Sequence, residues 1–463
     1  MKMSYLTMMQ EWLFHRVPIP IIKYHPTVGS DMRCALTIAG SDSVGGAGVE
    51  ADIKAMASVG VHACAVITAV TAQNTTAVER IYPMPEDMVQ AQLEAVLKDV
   101  DVKAIKTGML YSAEIVETVA DVLEDHEMPL IIDPVMVAGV GDSLATSDLA
   151  RAIKRELMPL CELITPNRHE AEILAGMDIR TEDDAMLACE LIGKEGSSVL
   201  LKGGHMSGQK VTDYFYLSSE INKMEYPRLE RAGHGGGCTL SSYITAHMAK
   251  GIDINNAVIK SRELIQQSIA SMYVIGKGDK CVNPMVKMQD DSIKFKILDD
   301  IDDAADKLVD MIPQEWVPSS GMNIAYSLPN PAGPEDIAAV DRRITFRNGT
   351  LRKNGKAKYG SAESSSYLLL STIKFDPEMR ATVNLEYSEE LYDVMEEVGL
   401  EICDLNRKKY KDLRLGELTN LAIRELGHIP DAFIDKEVQR KKNDIRIVGK
   451  NPADILSKLE LIL

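Results

Sequence analysis

Three consecutive glycines and a cysteine form the stretch of this chain with the clearest chemical potential. Gly235, Gly236 and Gly237 precede Cys238, and apolar residues follow at three- and four-residue spacing. This spacing predicts a helix that begins at the glycines, so the first amides of the helix lack partners within it. Glycines let a ligand approach those amides closely, and the helix dipole adds positive charge there. The stretch predicts an anion site, although a glycine-rich turn with a small buried cysteine fits the same residues.

The elements that must position this site are short apolar runs, each followed by a helical pattern. The runs cover residues 34–39, 63–70, 102–105, 130–132, 163–164 and 199–201. This alternation predicts an α/β fold with a doubly wound, mainly parallel sheet flanked by helices. Polar or glycine-rich segments follow the runs, and the carboxyl ends of parallel strands share one edge of a sheet. We therefore expect these segments to meet at a single site.

Two candidate residues in these segments suit a small polar ligand. Asp52 lies four residues after Gly48, where it can hydrogen-bond a hydroxyl or amine of the ligand or remain a solvated first-turn acid. Gln73 ends a strand-like run and offers the donor and acceptor that the edge of a heterocycle needs, although amides are also common in turns.

Four further candidates suit phosphate and metal. Asp133 ends another run and is a candidate for binding Mg²⁺ through water, with Asn167 and Glu170 completing the shell. An Asx-turn and a helix N-terminal acid are the alternative for these residues. Lys202 can neutralise a nucleotide phosphate or remain a solvated charge.

Composition limits the classes of partner. The 463 residues include 51 Lys and Arg against 69 Asp and Glu, a formal charge of -18, which disfavours nonspecific binding to nucleic acid or anionic membrane. No apolar run approaches the ~20 residues of a membrane-spanning helix. The 7 cysteines are scattered without a CxxC pair, so the sequence predicts neither a disulfide framework nor a zinc module, and a cytoplasmic location fits best.

Several familiar catalytic motifs are absent from the sequence. It contains no GxxxxGK[ST] loop, no HRD and DFG kinase set, no HExxH and no GxSxG. The glycine-rich loop at residues 39–48 also lacks the GxGxxG spacing of a dinucleotide site.

The chain is long enough for two domains. Residues 1–31 are expected to be a poorly ordered extension, followed by a first domain at 32–290 and a smaller α/β domain at 297–463. An edge hairpin is predicted from β-prone pieces at 211–216 and 224–227, before the glycines.

Taken together, the segments of the first domain resemble the hydroxymethylpyrimidine/phosphomethylpyrimidine kinases of thiamine biosynthesis, members of the ribokinase-like superfamily. The matching strings are LTIAGSDSVGGAGVEADIKA, VITAVTAQNT, KTGML, DPVM, ITPNRHEAEIL, LLKGGH and HGGGCTLSS. The resemblance implies a homodimer and a ribokinase-like fold with ATP as co-substrate.

The resemblance also implies roles for single residues. The main chain of Ala47 and the side chains of Asp52, Gln73 and Met109 would line the pyrimidine pocket, with Asp52 near the reacting hydroxymethyl group. Lys202, Asn167 and Glu170 would form the ATP site with the glycine loop, and Asp133 and Glu170 would hold Mg²⁺.

Cys238 stands where sugar kinases of the superfamily place a catalytic aspartate. A helix N-terminus lowers the pKa of a thiol, so Cys238 is a candidate base for the hydroxyl proton. Its amide and those of the preceding glycines would stabilise the transferring phosphoryl group. Which of these two roles dominates stays open at this point.

Two residues of the first domain depart from the family pattern. Gly236 replaces the threonine of HGTGCT, and Thr107 replaces an isoleucine. Loss of the threonine hydroxyl leaves the backbone amides in place, so we expect a reduced rate rather than a lost function.

The second domain resembles the thiamine-phosphate synthase domain of archaeal-type fusions. The strings NIAYSLPNPAGPEDIAAVDRRI, STIKFDPEMRATVNLEYSEE, IPDAFID and IRIVGKNP carry the resemblance. A synthase would join the pyrimidine diphosphate to a thiazole phosphate and release pyrophosphate. Ser364 replaces a histidine of the family pattern and Glu386 replaces a cation, so an active synthase and a degenerate ligand-binding or regulatory domain both remain open.

We therefore predict an ATP- and Mg²⁺-dependent kinase that phosphorylates 4-amino-5-hydroxymethyl-2-methylpyrimidine and then its monophosphate. The alternative within enzymes is a kinase of pyridoxal or a related hydroxymethyl heterocycle. From a different class, the chain could be a ligand-sensing module with decayed sites. The predicted partners are small molecules and, in a homodimer, a second copy of the chain, with neither nucleic acid nor membrane among them.

Overall fold

The computed structural model describes residues 32–138, 142–143, 147–194, 196–205, 209–229, 233–347, 349–407, 409–410, 413–437 and 442–463. The predicted N-terminal extension at 1–31 lies outside these ranges. The chain divides into two compact units between Met288 and Gln289. None of the helices in the described ranges combines the length and apolar character that crossing a bilayer requires.

The first unit is built around a nine-stranded sheet with two small two-stranded sheets beside it. Its strands are β1 (Cys34–Ser41), β2 (His62–Gln73), β3 (Val78–Pro83), β4 (Val102–Thr107), β5 (Leu130–Ile132), β6 (Val137–Ala138), β7 (Asp142–Ser143), β8 (Leu163–Ile164), β9 (Ser198–Leu201), β10 (Lys210–Leu217), β11 (Glu220–Pro227), β12 (Gly233–His234) and β13 (Lys280–Cys281). The order in the large sheet is β11-β10-β9-β8-β5-β4-β1-β2-β3.

The centre of this sheet is parallel. Strands β9, β8, β5, β4, β1 and β2 pair in parallel, whereas β3, β10 and β11 add antiparallel edges. The central strands are buried on both faces, which explains their short, nearly continuous apolar runs. The predicted doubly wound, mainly parallel sheet and the edge hairpin are confirmed.

Helices cover the sheet of the first unit. They are α1 (Gly48–Ser58), α2 (Glu86–Asp99), α3 (Ala113–Leu123), α4 (Ser147–Ala152), α5 (Arg168–Ala175), α6 (Glu182–Gly193), α7 (Gly236–Ala249) and α8 (Ile254–Ala270). The helix predicted after the glycines is α7, which is buried on all sides from Thr239 to Ala249. Its buried residues include polar ones, and Ser242, Thr245 and His247 hydrogen-bond inside the core, so both packing and hydrogen bonds fix its position.

The second unit has a seven-stranded, mostly antiparallel sheet in the order β18-β15-β14-β19-β22-β21-β20. The seven strands are β14 (Ile324–Ser327), β15 (Ile337–Val340), β18 (Ala357–Tyr359), β19 (Ala381–Glu386), β20 (Ile402–Asp404), β21 (Ala432–Glu437) and β22 (Lys442–Gly449). Two further strands, β16 (Ile344–Arg347) and β17 (Thr350–Lys353), form a separate two-stranded sheet. Its helices are α10 (Ser364–Phe375), α11 (Glu389–Glu397), α12 (Leu415–Leu426) and α13 (Pro452–Ile462).

One long helix, α9 (Val286–Met311), begins in the first unit and continues into the second. The gap between the predicted domains, residues 291–296, falls inside this helix. The residues of this gap are exposed on the helix and include acidic and basic side chains. By composition alone, an exposed charged stretch of helix cannot be distinguished from a linker. The predicted domain limits stay a prediction.

Candidate active site

A cavity of about 400 Å³ opens at the carboxyl ends of the parallel strands of the first unit. Eleven of the twelve predicted site residues line it, namely Ala47, Gln73, Met109, Asp133, Asn167, Glu170, Lys202, Gly235, Gly236, Gly237 and Cys238. Asp52 does not line the cavity. The loops that follow six different strands and the start of α7 thus converge on one space.

The glycine loop allows an unusually close approach of two backbone segments. Gly235, the N-cap of α7, has a left-handed φ of 91°, and a Cβ atom there would lie 1.8 Å from the carbonyl oxygen of Gly46. A Cβ atom at Gly46 would lie 2.7 Å from the His234 ring. Only glycine fits at Gly235, and the first turn of α7 has no side-chain cap. The amides of this turn are available to an anion.

Lys202 lies beside this first turn. Its Nζ atom is 2.9 Å from Asp133 Oδ1, and a Cβ atom at Gly237 would lie 3.2 Å from Nζ. Burial alone would raise the pKa of Asp133, but Lys202 and Lys106 outweigh it and hold that pKa below its usual value. An ammonium and a carboxylate thus sit charged at the base of the glycine loop.

Asn167 and Glu170 hold each other at the start of α5. The Glu170 amide donates to Asn167 Oδ1 at 3.0 Å, and the Asn167 amide donates to Glu170 Oε2 at 2.7 Å, which is a capping box. Burial raises the pKa of Glu170 to about 7, with Lys202 opposing the rise. The helix-capping interpretation of these two residues is therefore confirmed, and their predicted role at ATP and Mg²⁺ stays a prediction.

Cys238 lines the cavity as a partly buried free cysteine. Burial raises the pKa of its thiol to about 11, while Lys106 opposes the rise and Asp52 and Asp133 add to it. The expected lowering of the pKa by the helix N-terminus is therefore wrong, because desolvation and two carboxylates outweigh it. The thiol is protonated at neutral pH.

Asp52 lies behind the cavity wall, wholly buried together with Lys106. Its Oδ2 atom accepts from Lys106 Nζ at 2.7 Å and from Thr37 Oγ1 at 2.6 Å. Its Oδ1 atom accepts from Ser242 Oγ on α7 at 2.7 Å. Asp52 was predicted to line the pocket but lies outside its lining, because the inward face of α1 points this carboxylate at the buried Lys106 ammonium. Asp52 joins α1, two central strands and α7.

Asp42 and His234 are site residues that sequence reasoning missed. Asp42 accepts hydrogen bonds from the amides of Val44, Gly46 and Ala47 and lies 3.0 Å from His234 Nε2. Burial would raise the pKa of Asp42, but His234 and the amides of Val44 and Ala47 hold it below its usual value. His234 Nε2 also lies 2.9 Å from Gln73 Nε2. An acid followed by a glycine-rich turn is the signal that could have identified Asp42.

Asp213 and Arg262 form a second missed pair, on the wall next to the β10–β11 hairpin. Both are buried, they are paired to each other, and the guanidinium stacks on the Tyr226 ring at 4.2 Å. Asp213 also accepts from the Gly203 amide at 2.7 Å. No sequence motif predicts this pair, because the partners come from a strand and a helix 49 residues apart.

The second unit has a separate polar cavity of about 310 Å³ at the start of α10. Three arginines line it, and each is paired with a carboxylate: Arg343 with Glu363, Arg407 with Asp435, and Arg446 with Asp444. Ser364, which stands at the position of the family histidine, lines the same cavity. Glu386 lies at the end of β19, opposite Asp444 in the neighbouring strand.

Comparisons with known proteins agree with this division. The family model described as Phosphomethylpyrimidine kinase matches residues 42–283. The family model described as Thiamine-phosphate synthase ThiN matches residues 300–461.

Individual relatives cover the first unit. A hydroxymethylpyrimidine/phosphomethylpyrimidine kinase of Rhizobium meliloti is 41% identical over 249 residues, 53% of this chain and 94% of the relative. A kinase of the same name from Streptomyces coelicolor is 40% identical over 255 residues, 55% of this chain and 94% of the relative.

Solved structures of pyridoxal kinases share the fold. The ADP complex of Bacillus subtilis pyridoxal kinase has a TM-score of 0.53 at 32% identity, covering 55% of this chain and 98% of that one. Staphylococcus aureus pyridoxal kinase with AMP-PCP and pyridoxal has a TM-score of 0.52 at 27% identity, covering 55% and 94%. The predicted ribokinase-like fold is confirmed. The chain belongs to the phosphomethylpyrimidine kinase family, and C-terminal to the kinase domain it carries a domain of the thiamine-phosphate synthase ThiN family.

Proposed function

We propose that the first unit transfers the γ-phosphoryl group of ATP to the hydroxyl of 4-amino-5-hydroxymethyl-2-methylpyrimidine, and then a second phosphoryl group to the monophosphate. One observation carries the proposal: the cavity places Gln73 and Met109 in the same space as a glycine-rich helix start with Lys202 beside it. This arrangement supports a heterocycle site and a phosphate site in one cavity. The relatives that are 40–41% identical are named as hydroxymethylpyrimidine/phosphomethylpyrimidine kinases, which supports the same reaction here.

The glycine loop is the proposed phosphoryl site. Amides at the start of α7 would bind the oxygens of the transferring group, and Lys202 would neutralise part of their charge. In the transfer, the hydroxymethyl oxygen bonds to the γ-phosphorus while the bond from that phosphorus to the ADP oxygen breaks. The transition state is loose, so positioning and charge supply most of the rate.

Cys238 is the proposed acceptor of the hydroxyl proton. Because its pKa is about 11, only a small fraction of the thiol is ionised at neutral pH. The amides at the start of α7 therefore contribute more to the rate of transfer than the Cys238 base does. The rate should rise as the fraction of Cys238 present as thiolate rises.

Asp52 is proposed as a positioning residue. Its carboxylate links Lys106 to Ser242, one turn after Cys238 on α7, so it fixes the direction in which the first turn of α7 points. It touches neither substrate nor phosphate in this role.

Mg²⁺ is proposed as the metal of the reaction. Mg²⁺ keeps several waters and binds through one or two carboxylates and substrate phosphates, which fits the donor set of Asp133 and Glu170. These two residues would hold the ion, and it would supply positive charge to the ATP phosphates. In the described residues no group of three or more metal-binding side chains occurs.

Pyridoxal is the competing substrate. The pyridoxal kinases named above are 27–32% identical to this chain, whereas the pyrimidine kinases are 40–41% identical over a similar share of it. The higher identity supports the pyrimidine as the preferred alcohol.

The test is an ATP-dependent assay that follows the mono- and diphosphate of the pyrimidine. We expect Lys202→Met to lower kcat/KM at least 100-fold, because a buried ammonium beside the glycine loop is lost. Lys194→Met, at an exposed lysine of the same unit, is the matched control and should retain wild-type turnover. Turnover of Lys202→Met close to that of the wild type would contradict the assignment of the phosphate site.

The match to the synthase family supports a second candidate function for the second unit. In this reaction the bond between the pyrimidine methylene and the diphosphate breaks, a carbon–nitrogen bond to the thiazole forms, and pyrophosphate leaves. Full-length Lys202→Met protein supplied with the preformed diphosphate and the thiazole phosphate should form thiamine phosphate at the wild-type rate. A chain that forms none has a degenerate synthase domain.

Homodimerisation and a cytoplasmic location are also part of the proposal. Light scattering on the full chain tests the first, and localisation of the tagged chain tests the second.

A further inference from the structure

The side chain of His234 lies between two other residues of the candidate active site. Its Nε2 atom is 3.0 Å from Asp42 Oδ2 and 2.9 Å from Gln73 Nε2. The ring packs on the loop that follows β1, because a Cβ atom at Gly46 would lie 2.7 Å from its Cδ2 atom. His234 also directly precedes Gly235. One imidazole therefore joins Gln73, the predicted ligand of the heterocycle, to the residues that lead into α7.

Asp42 determines where the proton of this imidazole sits. Burial would raise the pKa of Asp42, but hydrogen bonds from His234 and from the Val44 and Ala47 amides hold that pKa below its usual value. The carboxylate is therefore ionised at neutral pH, and an ionised carboxylate only accepts hydrogen bonds. His234 Nε2 must then carry the proton that it donates to Asp42, whether the ring is neutral or an imidazolium.

The same N–H fixes the orientation of the Gln73 side-chain amide. A ring N–H and an amide NH2 group are both donors and cannot bond each other, whereas the amide oxygen accepts. The two ends of an amide have nearly the same shape, so Gln73 gains a hydrogen bond when its oxygen faces His234. Ser43 Oγ holds the main chain of Gln73 in place, since it donates to the carbonyl oxygen at 2.7 Å and accepts from the main-chain N–H at 2.8 Å. The NH2 group is then directed into the cavity that Gln73 lines.

We propose that His234, held by Asp42, is a positioning residue that makes Gln73 a hydrogen-bond donor to the substrate, so that the site selects a heterocycle with an unprotonated ring nitrogen. The inference rests on the proposed pyrimidine site and deepens it, because it states which kind of ring atom Gln73 recognises. A ring nitrogen with a free lone pair accepts from the NH2 group, whereas an exocyclic amino group would bring two donors together. His234 acts through Gln73 and does not touch the substrate in this role.

Two analogues of the pyrimidine, each with one ring nitrogen replaced by CH, test the donor. Calorimetry measures their affinity for the full-length chain without ATP, so the readout does not depend on turnover. One analogue should bind about tenfold more weakly than the pyrimidine, because the Gln73 NH2 group loses its acceptor. A wild-type chain that binds the pyrimidine and both analogues equally overturns this inference alone. A wild-type chain that does not bind the pyrimidine overturns the proposed function as well.

Gln73→Glu distinguishes the two orientations of the amide. The carboxylate has nearly the same shape and still accepts from His234, but its second oxygen faces the lone pair of the ring nitrogen. Affinity for the pyrimidine should therefore fall about tenfold or more. If Gln73 presented its oxygen to the substrate, Gln73→Glu would preserve that contact, so an unchanged affinity overturns the proposal.

His234→Phe tests the positioning role, because it keeps a ring against Gly46 but removes the Nε2 donor. The pyrimidine should bind about tenfold more weakly, and the penalty for the weaker analogue should nearly vanish, since the two effects are coupled. His234→Gln is the conservative control: its amide N–H can replace Nε2–H, so it should restore most of the affinity. An equal analogue penalty in wild type and His234→Phe, or no recovery in His234→Gln, overturns the proposal.

Discussion

At the scale of single residues, the site depends on how burial changes ordinary side chains. Burial keeps the Cys238 thiol protonated and raises the pKa of Glu170 to about 7. The Asp133 carboxylate stays ionised in spite of its burial, because Lys202 and Lys106 lower its pKa. These directions follow from neighbours that are distant in the sequence. The residue types could therefore be predicted from the sequence, but their protonation states could not.

Replacement of the thiol tests the role of Cys238. We expect Cys238→Ala to lower kcat about 100-fold, at the lower end of what a general base contributes, with KM for the pyrimidine within twofold. Wild-type kcat should rise with pH between 7 and 9, because the thiolate fraction grows towards a pKa of about 11. The Ala variant should lose this rise; a variant with the wild-type pH profile would exclude Cys238 as the base.

Substitution of Thr107 measures how much stability the chain loses by departing from the family pattern at this position. Its Oγ1 atom is buried without a hydrogen-bond partner in the described residues, so Thr107→Val should raise the free energy of unfolding by about 1 kcal/mol. Thr37→Val is the matched control, since that buried hydroxyl donates to Asp52, and it should lower stability by about 1–3 kcal/mol. Urea denaturation measures both, and a loss of stability in Thr107→Val would show that its hydroxyl has a partner.

At the scale of elements, the site is a set of helix starts held by their loops. The run of glycines before α7 predicted the helix start correctly, because glycine spacing and apolar periodicity are local signals. The contact between the Gly235 and Gly46 segments could not be predicted, because it joins two loops about 190 residues apart in the sequence whose approach depends on the sheet order.

Gly235→Ala tests that contact. The substitution adds a Cβ atom 1.8 Å from a carbonyl oxygen at a φ of 91°, so we expect stability to fall by about 1–3 kcal/mol and kcat to fall at least tenfold. Gly251→Ala is the matched control at the other end of α7, since its φ is 81° but nothing lies within 4 Å. It should lose stability only. Equal kcat values for the two variants would contradict a catalytic role for the loop contact.

The start of α5 gives a pH-dependent prediction. Burial raises the folded-state pKa of Glu170 to about 7, above its ordinary value of 4.5. The folded state therefore favours the protonated form, and this stability is present below about pH 4.5 and lost as pH rises to about 7.

Glu170→Gln keeps the capping box and removes the titration. As pH rises from 4.5 to 7, the urea midpoint of the wild type should fall relative to that of the variant. Above pH 8 the difference between the two midpoints should stay constant. A difference that does not change with pH would mean that Glu170 is ionised throughout.

At the scale of the whole molecule, the fold class and both families could be predicted, because alternating runs and long motif strings are carried by the sequence itself. The antiparallel edge strand β3 was missed, since its exposed, charged residues do not resemble a strand. Asp52 was misplaced for a related reason. The sequence does not show that Asp52 faces inward, because its partner Lys106 lies 54 residues away, near the end of the central strand β4.

The central claim is that the first unit is a pyrimidine kinase, and a competition assay tests it most directly. Full-length protein receives ATP, Mg²⁺ and equal concentrations of the hydroxymethylpyrimidine and pyridoxal, and all phosphorylated products are quantified over time. The account predicts the pyrimidine monophosphate first and the diphosphate after it, with kcat/KM at least tenfold above that for pyridoxal. Pyridoxal phosphate formed faster than the pyrimidine phosphates, or ATP turnover without either product, would contradict it.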